Sequence, residues 1–82
     1  MTREDILAVI VQNAQEVLPQ LVTHTFQPTD ALKDLGANSM DRAEILMMTL
    51  ESLNLNLPTV AFHGAENIGG LADEILQKSR GL

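Results

Sequence analysis

Cysteine is absent from this sequence, and so are tryptophan and tyrosine. Without cysteine there is no disulfide, no thiolate metal site and no cysteine nucleophile, so any thiol chemistry needs a sulfur supplied from outside. Apart from two histidines, Phe26 and Phe62 are the only aromatic residues among 82. The core must therefore be built from Leu, Ile, Val, Met and Ala. Positive charge is also scarce: five basic residues face eleven acidic ones, for a formal net charge of −6. An acidic surface repels nucleic-acid phosphates and anionic lipid headgroups, and it attracts basic partner surfaces. No apolar run approaches the roughly 18–20 residues that cross a bilayer. Glu4 and Asp5 do not suit the positive start of a signal peptide. The expectation is one soluble cytoplasmic domain over residues 1–82, a monomer, with neither nucleic acid nor membrane as partner.

What is present reads as helices separated by punctuation. Thr2 with Asp5 three residues on resembles a capping box, Asp standing for the usual Glu or Gln. Behind it Ile6, Leu7, Ile10, Val11, Ala14, Val17 and Leu18 recur at helical spacing until Pro19, predicting a helix over residues 3–18. Residues 19–38 form a long connection whose apolar members Leu21, Val22, Phe26, Leu32 and Leu35 should fold onto the core, with Thr29 or Asp30 opening a short turn. A second helix is predicted over residues 39–53, capped by Asn38 or Ser39, with Asp41 in its first turn. Its spacing puts Met40, Ala43, Leu46, Met47, Leu50 and Leu53 on the core side. The segment 58–65 should hold one helical turn or a little more, with Pro58 at a first helical position and Gly64 as a stop. Asn67 caps a last helix carrying Ile68, Leu71, Ala72, Ile75 and Leu76 on one face. No alternating strand pattern survives inspection. The fold class is all-α: a small bundle of three main helices plus a short one, with a long loop between the first and second.

The stretch Asp34-Leu35-Gly36-Ala37-Asn38-Ser39-Met40-Asp41 places a serine where a loop becomes a helix. Gly36 permits backbone that other residues resist. A helix terminus directs N–H groups at such a side chain, an arrangement that accommodates phosphate. On position alone an ordinary N-cap serine is the favoured reading, because serine is a preferred N-cap, and spacing by itself does not decide. A hydrolytic nucleophile needs a positioned base and an orienting group. The chain has only His24 and His63 and lacks the Gly-x-Ser-x-Gly elbow. Neither histidine has metal-ligand spacing, and both read as surface or packing residues. No catalytic residue and no metal site is expected.

Leu35-Gly36-Ala37-Asn38-Ser39-Met40 resembles the phosphopantetheine attachment motif of acyl carrier proteins, commonly Leu-Gly-x-Asp-Ser-Leu, and the order of helices and loop agrees along nearly the whole chain. The resemblance implies that a phosphopantetheinyl transferase moves 4'-phosphopantetheine from coenzyme A onto Ser39. The arm's thiol then carries acyl groups as thioesters, which fits a chain without cysteine. The protein itself is no enzyme; it delivers a tethered substrate at high effective concentration. Asn38 departs from the usual Asp. It keeps the capping shape and loses the charge, which puts in doubt any role of that carboxylate toward the transferase or its metal.

On a wheel of the second helix Asp41, Glu44, Met48 and Glu51 lie opposite the chosen core side, with Ile45 beside them. A solvated acidic face is the plain reading. By resemblance this helix is where carriers meet basic patches on their enzymes, and exposed Ile45 and Met48 ringed by acids would suit docking. Asp34 extends that surface, Asn38 and Met40 flank the serine within it, and Arg42 is its odd member, suited to tuning partner choice. Phe62 and Phe26 are core fillers, Phe62 also suited to lining an acyl cleft.

A finer resemblance joins Gly36 through Ile45 and Phe62-His63-Gly64-Ala65-Glu66-Asn67-Ile68 to the free-standing donor carriers of polyketide β-branching cassettes. It implies an acetyl cargo loaded by an acyltransferase and accepted by an enzyme resembling hydroxymethylglutaryl-CoA (HMG-CoA) synthase. Asn38 and Arg42 would help that synthase choose its donor. The alternatives are a fatty-acid or general polyketide carrier serving a ketosynthase, and an acidic helical adaptor with no prosthetic group.

Overall fold

The computed structural model describes residues 1–62 and 64–81; His63 lies outside the described residues. Among them the chain forms three α-helices, α1 (Arg3–Val17), α2 (Ser39–Ser52) and α3 (Ile68–Arg80). Three 3-10 turns punctuate the connections, at Pro19–Thr23, Leu32–Leu35 and Thr59–Ala61. No strand occurs among the described residues. The molecule measures 35 × 23 × 20 Å along its principal axes.

α1 begins at the expected capping box: the Asp5 N–H donates to Thr2 Oγ1 at 3.2 Å, and the Thr2 N–H donates to Asp5 Oδ2 at 3.0 Å. Pro19 cannot supply the next helical N–H, and the chain turns there into 3-10 backbone. Both other helices pack against α1. Ile6, Ile10 and Ala14 of α1 meet Ile45 and Leu50 of α2 and Ile68, Ala72 and Ile75 of α3 in one core. Phe62 is the single aromatic member of that buried cluster. Each isoleucine sealed from water contributes about 1.5–3 kcal/mol of burial.

The expected face of α2 is right at Leu46, Leu50 and Leu53 but wrong at Met40, Ala43 and Met47, which are exposed, and the correction reaches the candidate partner surface. Ile45 is completely buried, whereas Met40 and Met47 are 79% and 53% exposed. The true inner stripe is Arg42, Ile45, Leu46, Thr49, Leu50 and Leu53, all buried or half-buried. It follows the i, i+3, i+4, i+7 rule as closely as any stripe in the chain. Two of its members, Arg42 and Thr49, are polar, so an apolar count passes over it. Thr49 is buried because Asn13 of α1, itself buried, donates to its hydroxyl at 3.2 Å. Val22 also departs from expectation, lying 65% exposed while Leu21 beside it is buried.

The long connection is held at both ends. Leu21 and Leu32 are buried in the core, with Phe26 and Leu35 packed against it. Between them the Asp30 carboxylate accepts from the Gln27 N–H at 2.7 Å and from His24 Nε2 at 3.0 Å. The His24 ring meets Phe26 edge-on at 4.8 Å. The backbone here also closes the start of α3: the Ile68 N–H donates to the Asp30 carbonyl at 2.9 Å and the Gly69 N–H to the Pro28 carbonyl at 2.8 Å. Asn67 caps the same helix through the Gly70 N–H at 2.7 Å. The first-turn donors of α3 are thereby satisfied from the loop, so loop and helix hold each other. The single turn expected within residues 58–65 is Thr59–Ala61, with Pro58 at its N-cap rather than its first position.

Candidate functional site

Leu32 opens the 3-10 turn that leads to the serine, and its buried side chain anchors it. The turn is capped by Ala31, one residue beyond Asp30 and two beyond Thr29, the two expected openers. Gly36 ends it with φ +100°, a left-handed backbone that side-chain-bearing residues rarely adopt. The Ala37 N–H then returns to the Leu32 carbonyl at 3.0 Å, and Ala37 is buried. With buried residues at both ends and a left-handed residue between, the chain has one way to enter α2.

Asn38 is the N-cap and Ser39 the first helical residue, so the reading of Ser39 as an ordinary capping serine does not hold. Asn38 Oδ1 accepts from the Asp41 N–H at 2.8 Å, and Asp41 Oδ2 accepts from the Asn38 N–H at 3.1 Å. Asn38 thus does the structural work of the usual Asp without its charge. Ser39 is exposed, and among the described residues no hydrogen bond engages its hydroxyl. The first-turn N–H groups of Ser39 and Met40 have no intrahelical acceptor, which leaves donors for an anion beside the hydroxyl.

Ser39 stands on the wall of a cleft of about 800 Å³ between the Leu32–Leu35 turn, α2, the Thr59–Ala61 turn and the start of α3. Leu32, Leu46, Val60, Phe62, Ile68 and Leu71 supply apolar lining, and Lys33, Asp34, Arg42 and Glu66 the charges. Phe62 therefore fills the core and lines the cleft together. Arg42, one turn beyond Ser39, donates from Nη1 to the Ala37 carbonyl at 2.8 Å. Among the described residues no imidazole lines the cleft and no group of acids and histidines stands ready for a metal. Next to this site, the Gln27 N–H and then His24 hold the Asp30 carboxyl below the ordinary aspartate value.

The other expected partner residues divide. Asp34, Asn38, Met40, Glu44 and Glu51 are exposed; Asp41, Arg42 and Met48 are half-buried, the first two engaged within the chain. Ile45 is removed from the surface by its burial. Three residues outside that set also stand here: Met47 is exposed on α2, and Lys33 and Val60 line the cleft. Met47 lies two turns from Met40 on one helix face, and that spacing was legible once Met40 is placed outside. Lys33 and Val60 join the cleft only through the loops that carry them.

The model of the family described as "Phosphopantetheine attachment site" matches residues 8–75. The polyketide biosynthesis acyl-carrier protein AcpK of Bacillus subtilis (strain 168) is 46% identical over 78 residues, 95% of each chain. The chain belongs to the acyl carrier family with a phosphopantetheine attachment site. A solved structure described as the curacin biosynthetic pathway HMG synthase in complex with acetyl donor-ACP contains a similar chain. That chain superposes with a TM-score of 0.88 at 45% identity, over 92% of the carrier and 96% of the matched chain. The two high coverages mean the matched chain has the carrier's own size. The cofactor of the present chain is covalent 4'-phosphopantetheine. The residues present fit that group: the carrier offers an exposed hydroxyl free of internal bonds, helix-terminal donors beside it and an open cleft next to it. The relatives of this chain are carriers of acyl groups. None of the described helices is long and apolar enough to cross a membrane.

Proposed function

We propose that Ser39 is the attachment point and that the carrier, one domain across the described residues, presents an acetyl group to an HMG-CoA-synthase-like enzyme of a β-branching cassette. The observation that carries this is the placement of Ser39: first residue of α2, exposed, unengaged and on the cleft wall. When bound, the arm supplies a mobile thiol that holds acyl groups as thioesters. The protein's own residues present the nucleophile for loading. The Ser39 Oγ–P bond would form as the P–O bond of coenzyme A's pyrophosphate breaks, adenosine 3',5'-bisphosphate leaving with the bonding electron pair and the hydroxyl proton passing to a base of the transferase. The capping box keeps the hydroxyl at the helix mouth, and Gly36 and Ala37 keep the mouth facing outward. A requirement for coenzyme A and its transferase fits a cytoplasmic setting.

The acetyl cargo and the synthase are supported by likeness to the donor carrier of the curacin complex and to AcpK. The docking surface is the outer face of α2, corrected for the true orientation: Met40, Glu44, Met47 and Glu51, extended by Asp34. Exposed thioether chains between carboxylates match an apolar contact ringed by basic groups on the partner. An acyltransferase and the transferase would use the same face in turn.

The deciding experiment is intact mass after incubation with coenzyme A and a phosphopantetheinyl transferase. Wild type should gain one phosphopantetheine and Ser39→Ala none, with unchanged circular dichroism. The acetylated carrier should then donate to an HMG-CoA-synthase-like enzyme faster than to a ketosynthase. A faster ketosynthase reaction would make this a general carrier, and no mass gain would leave the acidic adaptor.

A further inference from the structure

We propose that Arg42 is a second, non-covalent anchor for the phosphodiester that joins the arm to Ser39. The inference rests on Ser39 being the attachment residue. Ser39 and Arg42 are three residues apart on α2, so their side chains rise on one face, one turn apart. Both line the same cleft. The Arg42 side chain is already placed, half-buried, with Nη1 held by the Ala37 carbonyl at 2.8 Å. A guanidinium has five N–H donors, and this contact uses one. The remaining fork can meet two phosphate oxygens, the geometry in which arginine surpasses lysine.

The neighbouring charges single Arg42 out. Lys33 also lines the cleft, but it is exposed within the Leu32–Leu35 turn and, among the described residues, no side-chain hydrogen bond or ion pair holds it in place. Arg42 is the cation that the backbone itself fixes, so binding the phosphate costs it less side-chain freedom. A phosphodiester on Ser39 carries one negative charge and would meet the helix-terminal N–H groups on one side and the guanidinium on the other. Holding the arm at its root leaves the thiol end mobile while setting the direction in which it leaves the protein. In this role Arg42 faces the cofactor and the cleft, rather than tuning partner choice by direct contact.

The test compares apo and holo protein by NMR, with loading confirmed by mass. The Arg42 side-chain Nε–Hε resonance should shift on loading, while those of Arg3 and Arg80, on the rims of other helices, stay in place. The phosphodiester ³¹P line should be narrower in holo Arg42→Gln than in holo wild type, with Arg42→Lys between. A residue that only braces Ala37 would show the same Nε–Hε resonance in both forms. A loaded wild type with an unmoved Arg42 resonance overturns the proposal, even if Arg42→Gln fails to fold. Absence of any mass gain instead overturns the attachment at Ser39 on which the proposal rests.

Discussion

Gly69 shows how one residue can hold two elements together. A Cβ built there would come within 2.8 Å of the Pro28 carbonyl and 2.7 Å of the Arg3 guanidinium. The arginine can swing away, although its Nε is bound to Asp73 at 2.6 Å; the carbonyl is backbone that accepts the Gly69 N–H and cannot. Gly69→Ala should therefore destabilise by about 1–3 kcal/mol despite alanine's better helix propensity. A lower urea midpoint at unchanged slope is the expected result; a midpoint at or above wild type would show that the loop yields. By local propensity alone, a glycine in the first turn of a helix is only a weakness. The compensating contact comes from a segment about forty residues earlier, and local spacing is blind to it. Asn13 is a similar case. Its position three residues after Ile10 marks the inner face, but only the arrival of Thr49 makes a buried amide tolerable.

At the scale of the element, α2 separates its two candidate caps. Asn38 makes the reciprocal bonds with Asp41, and Ser39 makes none. Asn38→Ala should cost about 0.5–2 kcal/mol in thermal or urea unfolding. Ser39→Ala should stay within about 0.5 kcal/mol of wild type, as an exposed substitution away from any cap. Equal losses at the two positions would mean that the serine shares the capping. The far end of α2 is closed by Asn54 in a left-handed conformation, φ 57°. The Leu55 N–H reaches the Leu50 carbonyl at 2.8 Å and the Asn54 N–H reaches that of Glu51 at 3.0 Å, a Schellman closure. The limits of α2 were legible because caps are local chemistry. Its rotation was not: apolar residues surround it almost completely, and the side that turns inward is the one α1 can fill.

For the whole molecule, the acidic surface and the two strongly hydrogen-bonded aspartates set a dependence on pH. The Thr2 N–H and hydroxyl lower Asp5, and the Gln27 N–H followed by His24 lowers Asp30, both from an ordinary value of 3.8. A carboxyl lowered on folding stabilises the native state above its unfolded value, and that contribution is lost as pH falls through the folded value. Stability should therefore drop below about pH 3.8. Asp5→Asn with Asp30→Asn should flatten that drop, while lowering the urea midpoint at pH 7. An unchanged acid limb in the double variant would assign acid unfolding to other carboxyls. Asp30 matters beyond its own loop, because its carbonyl also receives the Ile68 N–H of α3.

The amino-acid order by itself determined what depends on near neighbours: three helices and their caps, the turn at Gly36, the aliphatic core and a serine at the mouth of α2. These follow from dihedral limits and hydrogen bonds reaching three or four residues. Tertiary structure alone decided that Ile45 goes inside and Met40 and Met47 outside. It also drew Lys33, Arg42 and Val60 around the serine, and it let Gly69 lie against Pro28. Burial is shared between elements, so the inward face of a helix is chosen by what packs there, and no single helix carries that information.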